Sequence, residues 1–190
     1  MSSAFGGLLF LQSPKGHGNS ITVRIHHVTL SPTYDINDPN RAETWQYKRS
    51  QAHGLWADIA GRHIVFNVPS KSVLHLDDQQ LDRALKFWDR VILAHHDLRG
   101  THPQHRERIV CDEQPSAGYM RKKENIDVST DRSRHSLLDS GYPIVTHMDV
   151  SDPQSESFLF NSDRLEKLGS WGLFHELGHN MQQDWWSKRK

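Results

Sequence analysis

Two histidines and a glutamate near the end of the sequence have side chains and a spacing that can do chemistry together. His175 and His179 are four residues apart, and Glu176 directly follows the first histidine. Residues four apart lie one above the other on a helix, so both imidazoles leave the same face. Two nitrogens at about 2.0–2.1 Å from one ion supply half of a tetrahedral zinc shell. Glu176 can then act as general base toward a zinc-bound water, which is the chemistry of a zinc peptidase.

The residues around this motif predict a helix that packs on a core. Leu173, Phe174 and Leu177 supply apolar neighbours at helical spacing. Gly178 is unusual in a helix interior, where glycine costs about 1 kcal/mol relative to alanine. We explain it by a second stretch of backbone that passes close to the metal-binding face. The alternative is an ordinary buried helix whose two histidines are satisfied by hydrogen bonds.

A catalytic zinc site needs a third protein ligand, and the residues after His179 supply no obvious one. The extended metzincin pattern has glycine and histidine where this chain has Gln182 and Trp185. A gluzincin takes a glutamate from a later helix, but none of the eleven residues after His179 is Glu. Asp184 lies about 140° around the helix from His179 and cannot converge with it. The third ligand is therefore absent, upstream, or in sequence that this chain does not have, and we favour the last.

Composition limits the classes of function. A chain of 190 residues suits one moderate domain, or a small domain with part of another. The 23 basic and 23 acidic residues give a formal net charge of zero. The overall charge therefore gives no reason to expect binding to nucleic acid or to an anionic membrane. A hydrophobic content of 35% and a mean hydropathy of −0.72 are low for a self-sufficient globule. Both values fit a chain that holds only part of its core.

The single cysteine and a short apolar run near the start of the sequence indicate the cellular compartment of the protein. Cys111 excludes an internal disulfide framework and suits a reducing environment, and we interpret it as a small buried hydrophobe. The apolar run Ala4–Leu11 is too short to cross a bilayer and lacks the basic flank of a signal peptide. We therefore predict a cytoplasmic protein with no transmembrane segment.

Periodicity and turn residues predict the elements that position these side chains. The predicted strands are Phe5–Gln12, Ser20–Leu30, Ile64–Pro69, Glu107–Cys111 and Gly141–Met148, of which the last is our candidate for an antiparallel edge strand beside the metal helix. The predicted helices are Arg41 to about Gln51, Leu76–Leu98, one opened by a capping box of Asp163 and Glu166 and ended by Gly169, and the motif helix capped by Ser170. The polar segment Arg121–His135 predicts a loop.

The remaining histidine clusters have simpler explanations than a second metal site. His26 and His27 are neighbours on a predicted strand, so they point to opposite faces, and we treat them as structural. The other group surrounds the end of the long helix and comprises His95, His96, His102 and His105. Its mixed flanking residues favour a solvated helix end and loop.

Several stretches in the same order resemble the enhancin-like metallopeptidases, peptidase family M60. In chain order they are Ala4–Phe10, Leu55–Ile59, Ile64–Ser70, Ser116–Met120, Ser140–Ile144 and Trp171–Gln183. The last resembles the family's active-site helix, and the first resembles the strand that opens the peptidase region. The stretches 116–120 and 140–144 resemble two halves of one nearly continuous family block. Residues 121–139, which separate them here, are therefore interpreted as a polar insertion.

The resemblance implies an α+β fold, with an incomplete zincin-like (gluzincin) metallopeptidase domain in residues 61–190 and a β-rich part, the end of a β-sandwich-like region, in residues 1–60. It implies zinc held by His175, His179 and a downstream glutamate that cannot be placed, with Glu176 as the catalytic base. Microbial members cleave heavily glycosylated proteins, so the implied substrate is a polypeptide or a glycoprotein. The missing ligand and the insertion predict weak activity or none, and whether the chain is an enzyme stays open.

A second function follows from the same resemblance. Within the family the sequence is most similar to the animal channel-associated factors, which bind and regulate a cold-sensing TRP-melastatin channel. This similarity implies a non-catalytic partner of a membrane ion channel that regulates the channel's trafficking to the plasma membrane and its activity. The protein would then lie peripherally at that membrane. This function is implied by association alone, since no side chain in the sequence specifies the channel.

Overall fold

A mixed six-stranded sheet organises the computed structural model, which describes residues 7–9, 20, 22–113, 120–122 and 143–181. The strands are β1 (Thr33–Asp35), β2 (Trp56–Ala60), β3 (Ile64–Pro69), β4 (Glu107–Asp112), β5 (Met120–Lys122) and β6 (Ile144–His147). Their order across the sheet is β1-β2-β3-β4-β6-β5. The pairs β2–β3 and β5–β6 are antiparallel, and the other three pairs are parallel. Together with the helices, this sheet confirms the predicted α+β class.

Four α-helices accompany the sheet in the described residues. They are α1 (Arg41–Gln51), α2 (Asp78–Arg99), α3 (Ser162–Leu168) and α4 (Trp171–Asn180). The predicted helices over residues 41–51, 76–98 and the motif are therefore confirmed. The start of α2 is fixed by a capping box in which Asp77 and Gln80 each bond the other's backbone N–H.

The core lies where α2 packs on the central strands. Every residue of β3 is buried, and α2 turns a stripe of apolar side chains toward it. Trp88 is fully buried and meets Phe66 edge to face, with 5.5 Å between the ring centroids. Its indole Nε1 donates to the carbonyl oxygen of Leu159 at 2.8 Å, so a large apolar ring is buried without a lost hydrogen bond.

Cys111 on β4 is a buried free thiol. Burial raises the pKa of this thiol to about 12, outweighing a hydrogen bond with Ser151. The thiol therefore stays protonated and behaves as the small buried hydrophobe that the sequence predicts.

The predicted strand Ser20–Leu30 is wrong. Its described residues, 20 and 22–30, belong to no strand and are all exposed, including Val23, Val28 and Leu30. Alternating apolar residues predict which face of a strand would be buried, but they do not supply a neighbouring strand. Of the predicted strand Phe5–Gln12 only residues 7–9 are described, and they form no strand; the rest lies outside the described residues.

The predicted capping box of α3 is also wrong. The helix begins at Ser162, and the side chain of Asn161 accepts the cap hydrogen bond from the backbone N–H of Arg164 at 3.2 Å. Asp163 and Glu166 instead pair with Arg83 of α2, at 2.8 and 2.7 Å. The predicted end at Gly169 is confirmed: its φ of 66° is in the left-handed region, and an added Cβ would lie 2.8 Å from the Phe174 ring.

The sheet also corrects the candidate for an edge strand. Of the predicted strand Gly141–Met148, residues Ile144–His147 form β6, which lies between β4 and β5 and is therefore an inner strand; residues 141 and 142 lie outside the described residues. β5 is one of the two terminal strands among the described strands, and it lies against α4. It occupies the start of the segment 121–135, whose remainder lies outside the described residues. The predicted division of the chain at residue 60 stays a prediction; β2 and β3, on either side of it, are neighbours in the sheet.

Candidate metal centre

The helix α4 has a core face and an opposite polar face. Leu173 and Leu177 are buried, at 1% and 0% exposure. His175 and His179 each follow one of these leucines by two residues, which places them about 200° around the helix from the core. His175 is exposed, whereas Glu176 and His179 are half-buried. The packing of one face therefore presents the other to solvent.

The structure brings the three predicted site residues together. The Nε2 atoms of His175 and His179 are 2.9 Å apart, and the two rings are nearly perpendicular at 87°. The potential ligand atoms of these two residues and of Glu176 all lie within 4.8 Å of one another. Among the residues that the structure describes, this is the one group of three such side chains close enough to hold a metal ion.

The donor set fits zinc. Two imidazole nitrogens with a neighbouring carboxylate oxygen are ligands that zinc prefers in proteins. Tetrahedral bonds of about 2.0–2.1 Å place two nitrogens roughly 3.3 Å apart, so the rings need to separate by only a few tenths of an ångström. The described residues add no further ligand to this group. Asp184 and Trp185, considered above for the third position, lie outside the described residues.

An aromatic ring that the sequence analysis did not assign to the site covers one ligand. The indole of Trp171 stacks on the imidazole of His175, with 5.1 Å between centroids and 21° between planes. Trp171 is 79% exposed, so packing in the core does not explain the position of its ring. The signal in the sequence was its spacing, one helical turn before the first histidine.

A histidine on α2 holds the backbone of the motif helix. The Nε2 atom of His95 lies 3.0 Å from the carbonyl oxygen of Phe174, and its Nδ1 atom lies 2.8 Å from that of Val91. The ring also lies beside Gly178, where an added Cβ would be 3.8 Å from Nε2. The expectation that a second backbone passes close to Gly178 is therefore wrong for the described residues, because the neighbour is a side chain.

The histidines around the end of α2 divide into two pairs. His102 and His105 are exposed, as expected for a solvated loop. His96 is buried, contacts the Thr101 hydroxyl at 2.8 Å, and has its pKa lowered by that burial. The solvated-end interpretation is thus wrong for His95, which contacts α4, and for His96, which is buried.

The other end of α4 is tied to the sheet. Asn180 donates from Nδ2 to the Oε2 atom of Glu107 at 2.8 Å. Glu107 begins β4 and is buried at 3% exposure, with His105 Nε2 3.4 Å from its other carboxylate oxygen. This contact could not be predicted from the sequence, because the two residues are 73 positions apart.

Comparison with known proteins agrees with the motif. A family described as peptidase M60, enhancin and enhancin-like, matches residues 36–190, which include all of α4. The chain belongs to this family. No solved structure matches it.

Animal proteins are among the relatives that match the chain. TRPM8 channel-associated factor 2 of Bos taurus and that of Homo sapiens are each 30% identical over 189 residues, which cover 98% of this chain and 18% of the relative. A TRPM8 channel-associated factor homolog of Danio rerio is 27% identical over 185 residues, covering 96% of this chain and 17% of the relative. The chain thus spans less than a fifth of these relatives. None of the described helices combines the length and apolar character needed to cross a bilayer.

Proposed function

We propose that this chain carries the metal-binding and general-base helix of a zinc metallopeptidase. His175 and His179 are the proposed ligands, and Glu176 is the proposed base. The observation that carries the proposal is the convergence of their ligand atoms within 4.8 Å, with the two histidines on the face of α4 that points away from the core. Membership of the enhancin-like peptidase family supports the same reaction class.

The proposed division of labour follows from the side chains. Bound zinc supplies Lewis acidity toward a peptide carbonyl and toward water. The two imidazoles hold the ion, and the stacked Trp171 limits rotation of the His175 ring. The carboxylate of Glu176 accepts a proton from the attacking water and delivers it to the departing amine nitrogen. That transfer makes the amine a neutral leaving group.

The sheet suggests how a polypeptide or glycoprotein substrate lies at this site. β5 is terminal among the described strands, is antiparallel to β6 and lies against α4. An extended peptide can pair with such an edge through main-chain hydrogen bonds. We propose that the substrate binds as an extended segment beside the helix, and that the sequence preference comes from side-chain pockets around it.

Hydrolysis of extended peptides and O-glycosylated peptides by the zinc-loaded chain tests the proposal. We expect slow cleavage, because the described residues provide only two imidazole ligands and leave the metal's hydration poorly controlled. Cleavage should disappear in Glu176→Gln, which keeps the size of the side chain and removes the base. Equal cleavage by the variant would exclude Glu176 as the base.

We propose, as a second function, association with a membrane channel at the plasma membrane. It is supported by the 27–30% identity of almost the whole chain to proteins named TRPM8 channel-associated factors. Co-precipitation of that channel with the wild-type chain and with Glu176→Gln distinguishes the two functions. Equal capture by both chains would show binding that is independent of the base. Capture of the channel by neither would count against this function.

A further inference from the structure

The imidazole of His95 bridges two helices. It lies on α2, half-buried, with Nδ1 2.8 Å from the Val91 carbonyl oxygen of its own helix. Its Nε2 lies 3.0 Å from the carbonyl oxygen of Phe174, the residue directly before His175 on α4. A carbonyl only accepts, so the contact with α4 is a hydrogen bond whenever Nε2 carries a proton, in one neutral tautomer and in the cation.

This contact differs in kind from the apolar packing of α4. Leu173 and Leu177 are buried by apolar packing, which is not directional. The Phe174 ring packs edge to face on Trp88, with 5.8 Å between centroids. A hydrogen bond weakens steeply when its angle changes, so the His95 contact resists rotation of α4 about its own axis.

Gly178 allows this close approach. It lies one turn after Phe174, and the His95 ring rests against its backbone. A methyl group there would be in ordinary van der Waals contact at 3.8 Å, so alanine fits, whereas a longer side chain would displace the ring. The same turn carries His175 and Glu176, and His179 follows at once.

We propose that His95 is a positioning residue for the candidate metal centre, acting through the Phe174 carbonyl to fix the rotation of α4. This inference rests on the proposed function. A metal-binding constellation requires its side chains to stay within about 0.5 Å of the working geometry. The His95 hydrogen bond supplies that precision from the side of the helix that does not face the metal.

Three substitutions of His95 separate its two polar contacts from its volume. The amide nitrogen of glutamine reaches the place of Nε2, so His95→Gln retains the bond to Phe174. The amide of asparagine reaches only the place of Nδ1, so His95→Asn retains the bond to Val91 and loses the one to α4. His95→Phe keeps a ring and loses both. His102→Phe, at an exposed histidine, is the matched control.

Cobalt binding to the 190-residue chain provides the first measurement, because its visible absorption reports coordination geometry as well as affinity. We expect His95→Phe and His95→Asn to bind cobalt at least tenfold more weakly than the wild-type chain and to give an altered spectrum. A tenfold loss of affinity is about the smallest effect expected when a metal site loses a hydrogen bond to one of its supporting groups. His95→Gln and His102→Phe should match the wild-type chain. Equal affinity and an unchanged spectrum in His95→Asn would overturn the inference.

Amide hydrogen exchange of α4 provides a measurement that needs no metal. Faster exchange in His95→Asn than in His95→Gln, with β3 unchanged, supports the positioning role. Equal exchange in the two variants overturns it, even if one fails to bind cobalt.

If the wild-type chain binds no more cobalt than His175→Ala does, the proposed function fails, and the exchange result still decides the role of His95. If His95→Phe does not fold, the comparison of His95→Asn with His95→Gln still decides the role of His95.

Discussion

The helices α2 and α4 are held in different ways. α2 has 22 residues, a reciprocal capping box and a long stripe of fully buried apolar side chains. α4 has ten residues, and its N-cap Ser170 makes no side-chain capping bond. It buries two leucines, packs the Phe174 ring on Trp88, and is tied by single polar contacts from His95 and Glu107. Apolar burial provides most of the stability of the fold, while a few directional contacts orient the helix that carries the proposed ligands.

The largest expected effect is on stability and comes from α2. Trp88→Ala should lower the free energy of unfolding by about 3–5 kcal/mol, because it empties a buried ring site and leaves the Leu159 carbonyl without its donor. Urea denaturation measures the change. Leu98→Ala, at a residue of the same helix that is 86% exposed, should change stability by less than about 0.5 kcal/mol. A similar loss in both would contradict the assignment of the core to this face of α2.

A smaller loss is expected where α4 meets the sheet. Asn180→Ala removes a donor from the buried carboxylate of Glu107, which should cost about 1–3 kcal/mol. For a chain of this size that is a fall in Tm of roughly 2–12 °C. Thermal unfolding followed by circular dichroism measures it. An unchanged Tm would show that the contact does not hold α4 in place.

The network at the start of α2 predicts a dependence on acid. Burial raises the pKa of Asp82, but hydrogen bonds from Arg41, Tyr34 and Lys86 outweigh it and lower the pKa from 3.8 to about 2. A lowered folded-state pKa contributes stability that is fully present above about pH 4 and is lost as the pH falls toward 2. Asp82→Asn should cost about 1–2 kcal/mol at pH 6 and progressively less below pH 4, as urea titrations at each pH would show. A pH-independent difference would contradict the network.

The smallest expected effect on stability is at the proposed site. Trp171→Ala should change the free energy of unfolding by less than about 0.5 kcal/mol, because the ring is mostly exposed. It should nonetheless weaken metal binding a few-fold, since the His175 ring loses the surface that it stacks on. Leu168→Ala, at another exposed residue nearby, is the control and should change neither property. Unchanged metal affinity in Trp171→Ala would show that the stacking does not orient the ligand.

The same contrast explains how much could be predicted from the sequence. The long helix α2 and the ligand pair on α4 follow from local spacing, which a periodic pattern reports directly. The contacts that orient α4 join residues 79 and 73 positions apart, and no spacing rule connects His95 with Phe174 or Glu107 with Asn180. The predicted strand Ser20–Leu30 is wrong for a related reason. Alternation of apolar and polar residues describes a single strand, whereas strand pairing needs a second one. Position within the sheet, as for β6, likewise depends on partners elsewhere in the chain.

Zinc stoichiometry tests the central claim most directly. After equilibration with micromolar zinc and removal of the excess, the wild-type chain should retain one zinc ion, and Glu176→Gln should retain it as well. His175→Ala should retain none, with an unchanged circular dichroism spectrum, because that side chain is exposed and contributes little to the core. Absence of zinc from the wild-type chain, or equal retention by His175→Ala, would contradict the account.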